Sequence, residues 1–188
     1  KYVCYAFSYM GGALIQWCIE TLAKKEREFA KEAGISVNEY LEKCTAGPTG
    51  LLVLPHLAGA ATPYMDTGSK GVIVGLTADT TVGELYRACM EGVVYEMMVN
   101  MEYLQQAGIQ IQKLHATGGG ARSGEWLQMK ADMLNLPVTA LITEDAGTVG
   151  SAMLTGIAAG CFADLKDAAG HMVQMRETYY PRADMHDK

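Results

Sequence analysis

The chain has 188 residues, of which 49% are hydrophobic and 19% are charged, and it carries a net charge of -6. This composition is typical of a folded globular protein and argues against intrinsic disorder. The negative charge, with no basic stripe, argues against nucleic acid as a partner. No apolar run reaches the length of about 18 residues that a membrane helix needs, so no membrane partner is expected.

Cysteines and histidines are too scattered to indicate a disulfide framework or a metal centre. The five cysteines are an odd number without CxxC spacing, and the four histidines form no cluster with them. Four of the cysteines lie in apolar, regularly patterned segments. We therefore expect free core thiols in a reducing, cytoplasmic setting and no metal site built by the protein.

The first part of the chain is expected to begin with a strand and continue in helices. Aromatic residues at 2–8 predict the strand, and Gly11-Gly12 opens a helical pattern that runs to about Ala33. Gly34 is a plausible helix stop. A short helix follows at 36–44, with Ser36 and Glu39 spaced as in a capping box.

Two short strands and a long helix are predicted next. The strands lie at 51–54 and 72–76, joined by a loop rich in Gly, Ala and Pro. Thr81 and Glu84 form a second capping-box pattern. The helix that they open is expected to reach Gln106 and to end at Gly108.

The remainder alternates between strand and helix. Strands are predicted at 111–117 and 138–142, and helices at 123–134 and 148–159. Such alternation indicates an α/β layered sheet with parallel pairing, whereas the earlier strands, joined by loops, could be antiparallel. Asp132 is interpreted as a cap or a surface carboxylate.

The most informative segment is Gly118-Gly119-Gly120, which joins a buried strand to the helix at 123–134. Consecutive glycines are costly in backbone entropy and often mark the close approach of a ligand or of another backbone. Free amides at such a helix start suit a nucleotide. The turn matches neither GxGxxG nor GxxxxGK[ST]. A purely structural interpretation, a tight turn with Ser123 as an ordinary N-cap, is therefore the alternative to nucleotide binding.

Several motifs together resemble the C-terminal half of FGGY-family carbohydrate kinases. The glycine turn, followed by Trp126, Gln128 and Asp132, is similar to the family's adenosine-binding segment. Other segments agree with the family in order and spacing: 12–17, 62–66, 71–76 followed by Glu84, Leu85, Ala88 and Glu91, and Glu144 followed by 150–152 and 159–160.

The resemblance implies a ribonuclease-H-like (actin-like ATPase) α/β domain, with a mixed sheet flanked by helices. It also implies an ATP- and Mg²⁺-dependent kinase that acts on a ketose such as xylulose or on a polyol. The residues that it assigns to nucleotide binding are Gly12, Gln16, Gly118, Gly119, Gly120 and Ser123.

On this resemblance, residues 1–188 are expected to be the nucleotide-binding domain of a longer two-domain kinase. The catalytic base and the sugar site would lie upstream, so no catalytic residue and no metal ligand are assigned here, and the chain alone is expected to be inactive. ATP or ADP and a sugar are the implied partners, and a homodimer is one assembly that the family allows. The alternative is a non-catalytic ATP-binding or regulatory module of the actin-like superfamily.

Overall fold

The structure, a computed structural model, describes residues 3–186. These residues form two compact units, one up to Ile111 and one from Gln112 onward. Within the described residues, no helix combines the length and the apolar character needed to cross a membrane.

The first unit is mainly helical. Its elements in chain order are α1 (Gly12–Thr21), α2 (Lys24–Glu32), α3 (Val37–Cys44), β1 (Leu52–Leu54), β2 (Val72–Val74) and α4 (Val82–Gln106). Two predicted caps are confirmed: Ser36 accepts a hydrogen bond from the Glu39 amide, and Thr81 forms a complete capping box with Glu84.

The prediction of one helix from Gly12 to Ala33 was wrong, because the helix breaks at Ala23. Ala23 has φ -100° and ψ 40° and is completely buried. The apolar face of α1 packs on α4, whereas α2 is highly charged, buries only Ala30 and packs on α3. The turn at Ala23 lets each helix reach its own partner.

The strand expected at 2–8 is also absent from the described part of that segment, 3–8. Phe7 exchanges two hydrogen bonds with Thr62, one to the side chain and one from the backbone. Val3 and Tyr5 are 87% and 78% exposed. A strand needs a continuous ladder to a neighbour, and a single paired residue does not provide one.

The strands β1 and β2 form an antiparallel ribbon, as the sequence allowed, in which Val53 lies opposite Ile73. Val53 is buried against α4. A Cβ at Gly92 would lie 2.4 Å from the Val53 carbonyl oxygen, so only glycine permits this approach. On α4, the buried Arg87 and Glu91 form an ion pair, and Glu91 also accepts hydrogen bonds from Thr49.

The second unit is an α/β layer. Its elements are β3 (Leu114–Ala116), the 3₁₀ turn Gly119–Ala121, α5 (Gly124–Leu134), β4 (Val138–Leu141), α6 (Ala146–Ala158), α7 (Leu165–Met172) and β5 (Met175–Tyr179). The sheet order is β3-β4-β5, with β3 and β4 parallel, as predicted, and β4 and β5 antiparallel. Leu127 and Ala131 of α5 pack on Val138 and Ala140 of β4.

Helix α7 and strand β5 were not predicted from the sequence. The residues of β5 are half-buried or exposed, so their sequence lacks the apolar run of a buried strand. The interpretation of Asp132 as a cap or surface group was wrong. Its carboxylate is buried and accepts hydrogen bonds from the Arg182 guanidinium, the Arg182 amide and Gln128. These charge-assisted bonds fix the segment after β5 onto α5.

The cysteines are all free, as expected, but only Cys18 and Cys89 lie in the core. Cys4, Cys44 and Cys161 are exposed, so the prediction of four core thiols was wrong. Cys44 is the last residue of α3, and its thiol donates to the Tyr40 carbonyl at 3.2 Å. An apolar pattern predicts the face of a helix but not how far the neighbouring element covers its end.

Candidate functional site

The glycine turn follows β3 directly and leads into α5. Gly118 has φ 81° and ψ -172°, a left-handed conformation that side-chain-bearing residues rarely adopt. Gly119–Ala121 then form one 3₁₀ turn, in which Ala121 and Arg122 donate to the carbonyls of Gly118 and Gly119. Gly118 is therefore required by the backbone itself.

The other two glycines of the turn differ in what surrounds them. A Cβ at Gly120 would lie 3.1 Å from Cζ3 of the Trp126 ring, which is tighter than ordinary packing. A Cβ at Gly119 would meet nothing within 4 Å. Packing thus explains Gly120, whereas no contact among residues 3–186 explains Gly119, which is exposed.

Ser123 caps α5, since its hydroxyl oxygen accepts a hydrogen bond from the Trp126 amide at 3.0 Å. The cap half of the sequence interpretation is confirmed. Capping uses the hydroxyl as an acceptor, and a serine hydroxyl also carries a donor.

Charged side chains surround the turn. The Arg122 guanidinium binds both carboxylate oxygens of Glu144, an exposed pair, and this bond lowers the pKa of Glu144 and raises that of Arg122. Arg176 donates to the Ala121 carbonyl at 2.7 Å. Lys130, which was not predicted as a site residue, lies with its Nζ 4.0 Å from the centroid of the Trp126 ring.

Gly12 and Gln16 lie at the start of α1, and both are exposed. Gly11, at the N-cap, has no side chain to cap the helix, and a Cβ at Gly11 or Gly12 would meet nothing within 4 Å. The Gln16 amide donates to the Glu20 carboxylate at 2.6 Å.

The structure therefore brings four of the six predicted residues, Gly118, Gly119, Gly120 and Ser123, into one turn of the second unit. Gly12 and Gln16 share one end of a helix in the first unit. Within residues 3–186, no three His, Cys, Asp or Glu side chains form a group that could hold a metal ion.

Comparisons with known proteins identify the family. Residues 1–159 match the model of the FGGY family of carbohydrate kinases, C-terminal domain. A xylulose kinase from Bacillus subtilis (strain 168) is 31% identical over 159 residues, which are 84% of this chain and 32% of that protein. A glycerol kinase from Herminiimonas arsenicoxydans is 31% identical over 93% of this chain and 34% of its own length.

A solved structure agrees with this assignment. The ligand-bound xylulose kinase from Lactobacillus acidophilus superposes with a TM-score of 0.77 at 25% identity, over 94% of this chain and 35% of that one. The fold is the ribonuclease-H-like, actin-like α/β fold of a sugar-kinase domain. The chain belongs to the FGGY family of carbohydrate kinases, and it spans about a third of the length of these relatives.

Proposed function

We propose that residues 1–188 are the nucleotide-binding C-terminal domain of a longer two-domain, cytoplasmic kinase. That kinase transfers the γ-phosphoryl group of ATP to a hydroxyl of a ketose such as xylulose, or of a polyol. The observation that carries the proposal is Gly119. In the part of the chain that the structure describes, nothing lies within 4 Å of its Cβ position and its φ is not positive, yet it is a glycine in a turn that opens a helix.

The turn fits an adenosine group. The open side of Gly119 leaves room for a ribose or base to approach the backbone. Ser123 stands at the first turn of α5, where its hydroxyl can contact the same ligand. Gly118 and Gly120 shape the turn, one through its left-handed φ and the other by making room for Trp126.

The start of α1 fits a phosphate group. Its first amides point out of a helix end that lacks a side-chain cap, and the partial positive charge of that end favours an anion. Gln16 is one turn further along the same helix and carries an amide that can donate to a phosphate oxygen.

Phosphoryl transfer depends mostly on positioning and charge stabilisation. When bound with ATP, Mg²⁺ neutralises charge on the phosphates. The residues of this chain would hold the nucleotide, while the catalytic base and the sugar pocket are proposed to lie upstream. A homodimer is the assembly proposed for the longer protein.

Thermal unfolding of the chain with and without ADP tests nucleotide binding. A ligand that binds the native state adds RT ln(1 + [L]/Kd) to stability, so ADP should raise the Tm and adenosine should raise it less. No shift at millimolar ADP would contradict the proposal.

A kinase assay separates the active enzyme from its alternative. The 188-residue chain should phosphorylate none of xylulose, ribulose and glycerol, because the base is proposed to lie outside it. Detectable phosphorylation by the chain would refute that placement. A longer protein that binds ATP but phosphorylates no sugar would support a non-catalytic ATP-binding module.

A further inference from the structure

Lys130 lies next to the glycine turn, on the side of Gly120 and Trp126. It follows Trp126 by one helical turn on α5, and its ammonium folds back over the indole face, 4.0 Å from the ring centroid. A Cβ at Gly120 would lie 3.1 Å from Cζ3 of the same ring. The same Cβ would lie 3.7 Å from Lys130 Nζ, so the ammonium lies on the side of the turn that a Gly120 side chain would occupy.

The Lys130 ammonium has no anionic partner within residues 3–186. No described carboxylate forms an ion pair or a hydrogen bond with it, and its one polar contact is the Trp126 ring. Burial lowers the pKa of Lys130 to about 8. The side chain therefore keeps a partly desolvated positive charge that the described residues do not neutralise.

The other charges near the turn are already engaged. Arg122 and Glu144 neutralise each other, and Arg176, from β5, donates to the Ala121 carbonyl. On α5 itself, the Asp132 carboxylate is held by Arg182 and Gln128, and Glu125 lies in the first turn. Of the described cations Arg122, Arg176 and Lys130, only Lys130 neither pairs with a carboxylate nor donates a hydrogen bond within the described residues, so its ammonium can donate to a ligand.

We propose that Lys130 is a further nucleotide-binding residue, whose ammonium supplies positive charge beside the glycine turn and so strengthens the binding of an anionic nucleotide whose adenosine lies there. This inference rests on the proposed function. The charge acts on the anion, so it strengthens the binding of ADP and contributes nothing to the binding of neutral adenosine.

The proposal has a definite pH dependence. Bound phosphate favours the protonated ammonium and raises the pKa of Lys130 above its value in the free chain. In the chain without nucleotide, the pKa of Lys130 is about 8. The affinity for ADP is therefore full below this pH and falls as the pH rises through it. The affinity for adenosine has no such dependence on this residue.

Titration calorimetry on three variants of the chain tests the proposal. Lys130→Met keeps an unbranched side chain on the Trp126 ring but removes the charge, and Lys130→Arg keeps a charge that does not titrate. Lys166→Met removes an exposed lysine from α7 of the same unit and serves as the control. Affinities for ADP and adenosine are measured at pH values well below and well above the Lys130 pKa.

The expected pattern is specific to charge. Lys130→Met weakens ADP binding about tenfold at neutral pH, as the loss of one charge-assisted contact does, and leaves adenosine binding unchanged. Lys130→Arg binds ADP tightly with no fall near the pKa of the lysine, and Lys166→Met behaves as the wild type. Circular dichroism verifies that each variant is folded.

Three results would overturn the proposal. Equal weakening of ADP and adenosine in Lys130→Met would assign Lys130 a packing role only. Unchanged ADP binding in that variant would show that its charge is unused, and the nucleotide site itself would stand. Failure of the wild-type chain to bind either ligand would overturn both this inference and the proposed function.

Discussion

The two helix starts that carry the predicted nucleotide contacts use their backbone amides differently. At α5, the Ser123 hydroxyl accepts from the Trp126 amide, and the preceding turn satisfies its own amides at Ala121 and Arg122. At α1, Gly11 offers no side-chain cap, and the backbone bond from Leu14 to Gly11 closes the first turn. At α5, a side chain of the protein caps the start of the helix, whereas at α1 no side chain caps the first backbone amides.

The glycines at the two helix starts differ in whether the backbone or the packing explains them. Gly118 is explained by its left-handed φ and Gly120 by the Trp126 ring, so neither needs a ligand to account for it. Gly119 and Gly12 have neither a positive φ nor a neighbour at the Cβ position. At these two helix starts, Gly119 and Gly12 are therefore the glycines whose role the proposed nucleotide would explain.

The largest expected effect is on the free energy of unfolding, when a glycine that contacts a neighbour is compared with one that has open space around it. Gly120→Val places a branched side chain against Trp126 and is expected to destabilise the protein by about 1–3 kcal/mol. Gly12→Val meets no neighbour and should change stability by less than about 0.5 kcal/mol. Urea unfolding followed by tryptophan fluorescence measures both. Equal losses would remove the distinction between the two starts.

Gly119→Val should leave the fold intact but block the nucleotide. Nothing lies within 4 Å of the new Cβ, so the free energy of unfolding should change little, whereas a bound adenosine would meet the side chain. We expect at least about a tenfold loss of ADP affinity, seen as a smaller ADP-induced rise in Tm. An unchanged rise, with circular dichroism showing a folded variant, would make Gly119 a structural turn only.

Ser123 combines a cap with a proposed contact, and two substitutions separate these roles. Ser123→Ala removes the cap and should cost about 1 kcal/mol of stability, whereas Ser123→Gly should cost only a few tenths. Both remove the hydroxyl, so both should reduce the ADP-induced shift equally. If the shift is unchanged in both, Ser123 serves as a cap alone.

The smallest effect is expected at Gln16. Its amide is exposed and donates to Glu20, so Gln16→Ala should change stability by less than about 0.5 kcal/mol. ADP affinity should fall about threefold to tenfold if the amide reaches a phosphate. Glu20→Ala is the matched control, because it releases the Gln16 amide and should not weaken binding. Equal losses in both variants would place the effect in the helix rather than in the contact.

The features that the sequence predicted well depend on local chemistry. The caps at Ser36, Thr81 and Ser123 each join a side chain to a backbone amide three residues later, so they can be read without the rest of the fold. Parallel pairing of β3 and β4 also follows from chain order, because a helix connects them.

The features that were missed depend on residues distant in the chain. The break at Ala23 arises because α1 and α2 pack on different helices, and nothing in the local sequence signals it. Residues 3–8 read as a strand from composition, yet a strand forms only where a neighbour pairs with it. One residue of the candidate site was not predicted from the sequence for a similar reason. Lys130 reads as a solvated helix residue until the fold places Gly120 over the Trp126 ring.

The two buried cysteines can report, through their labelling rate, how often α1 separates locally from α4. Cys18 of α1 and Cys89 of α4 are fully buried, and a hydrogen bond with Cys18 together with burial raises the pKa of Cys89. A maleimide added to the native chain should label Cys4, Cys44 and Cys161 quickly. It should reach the buried pair only when α1 separates from α4, so the slow labelling phase reports the free energy of that opening. Helix α1 would thus carry its own stability probe, at Cys18, without any engineered substitution.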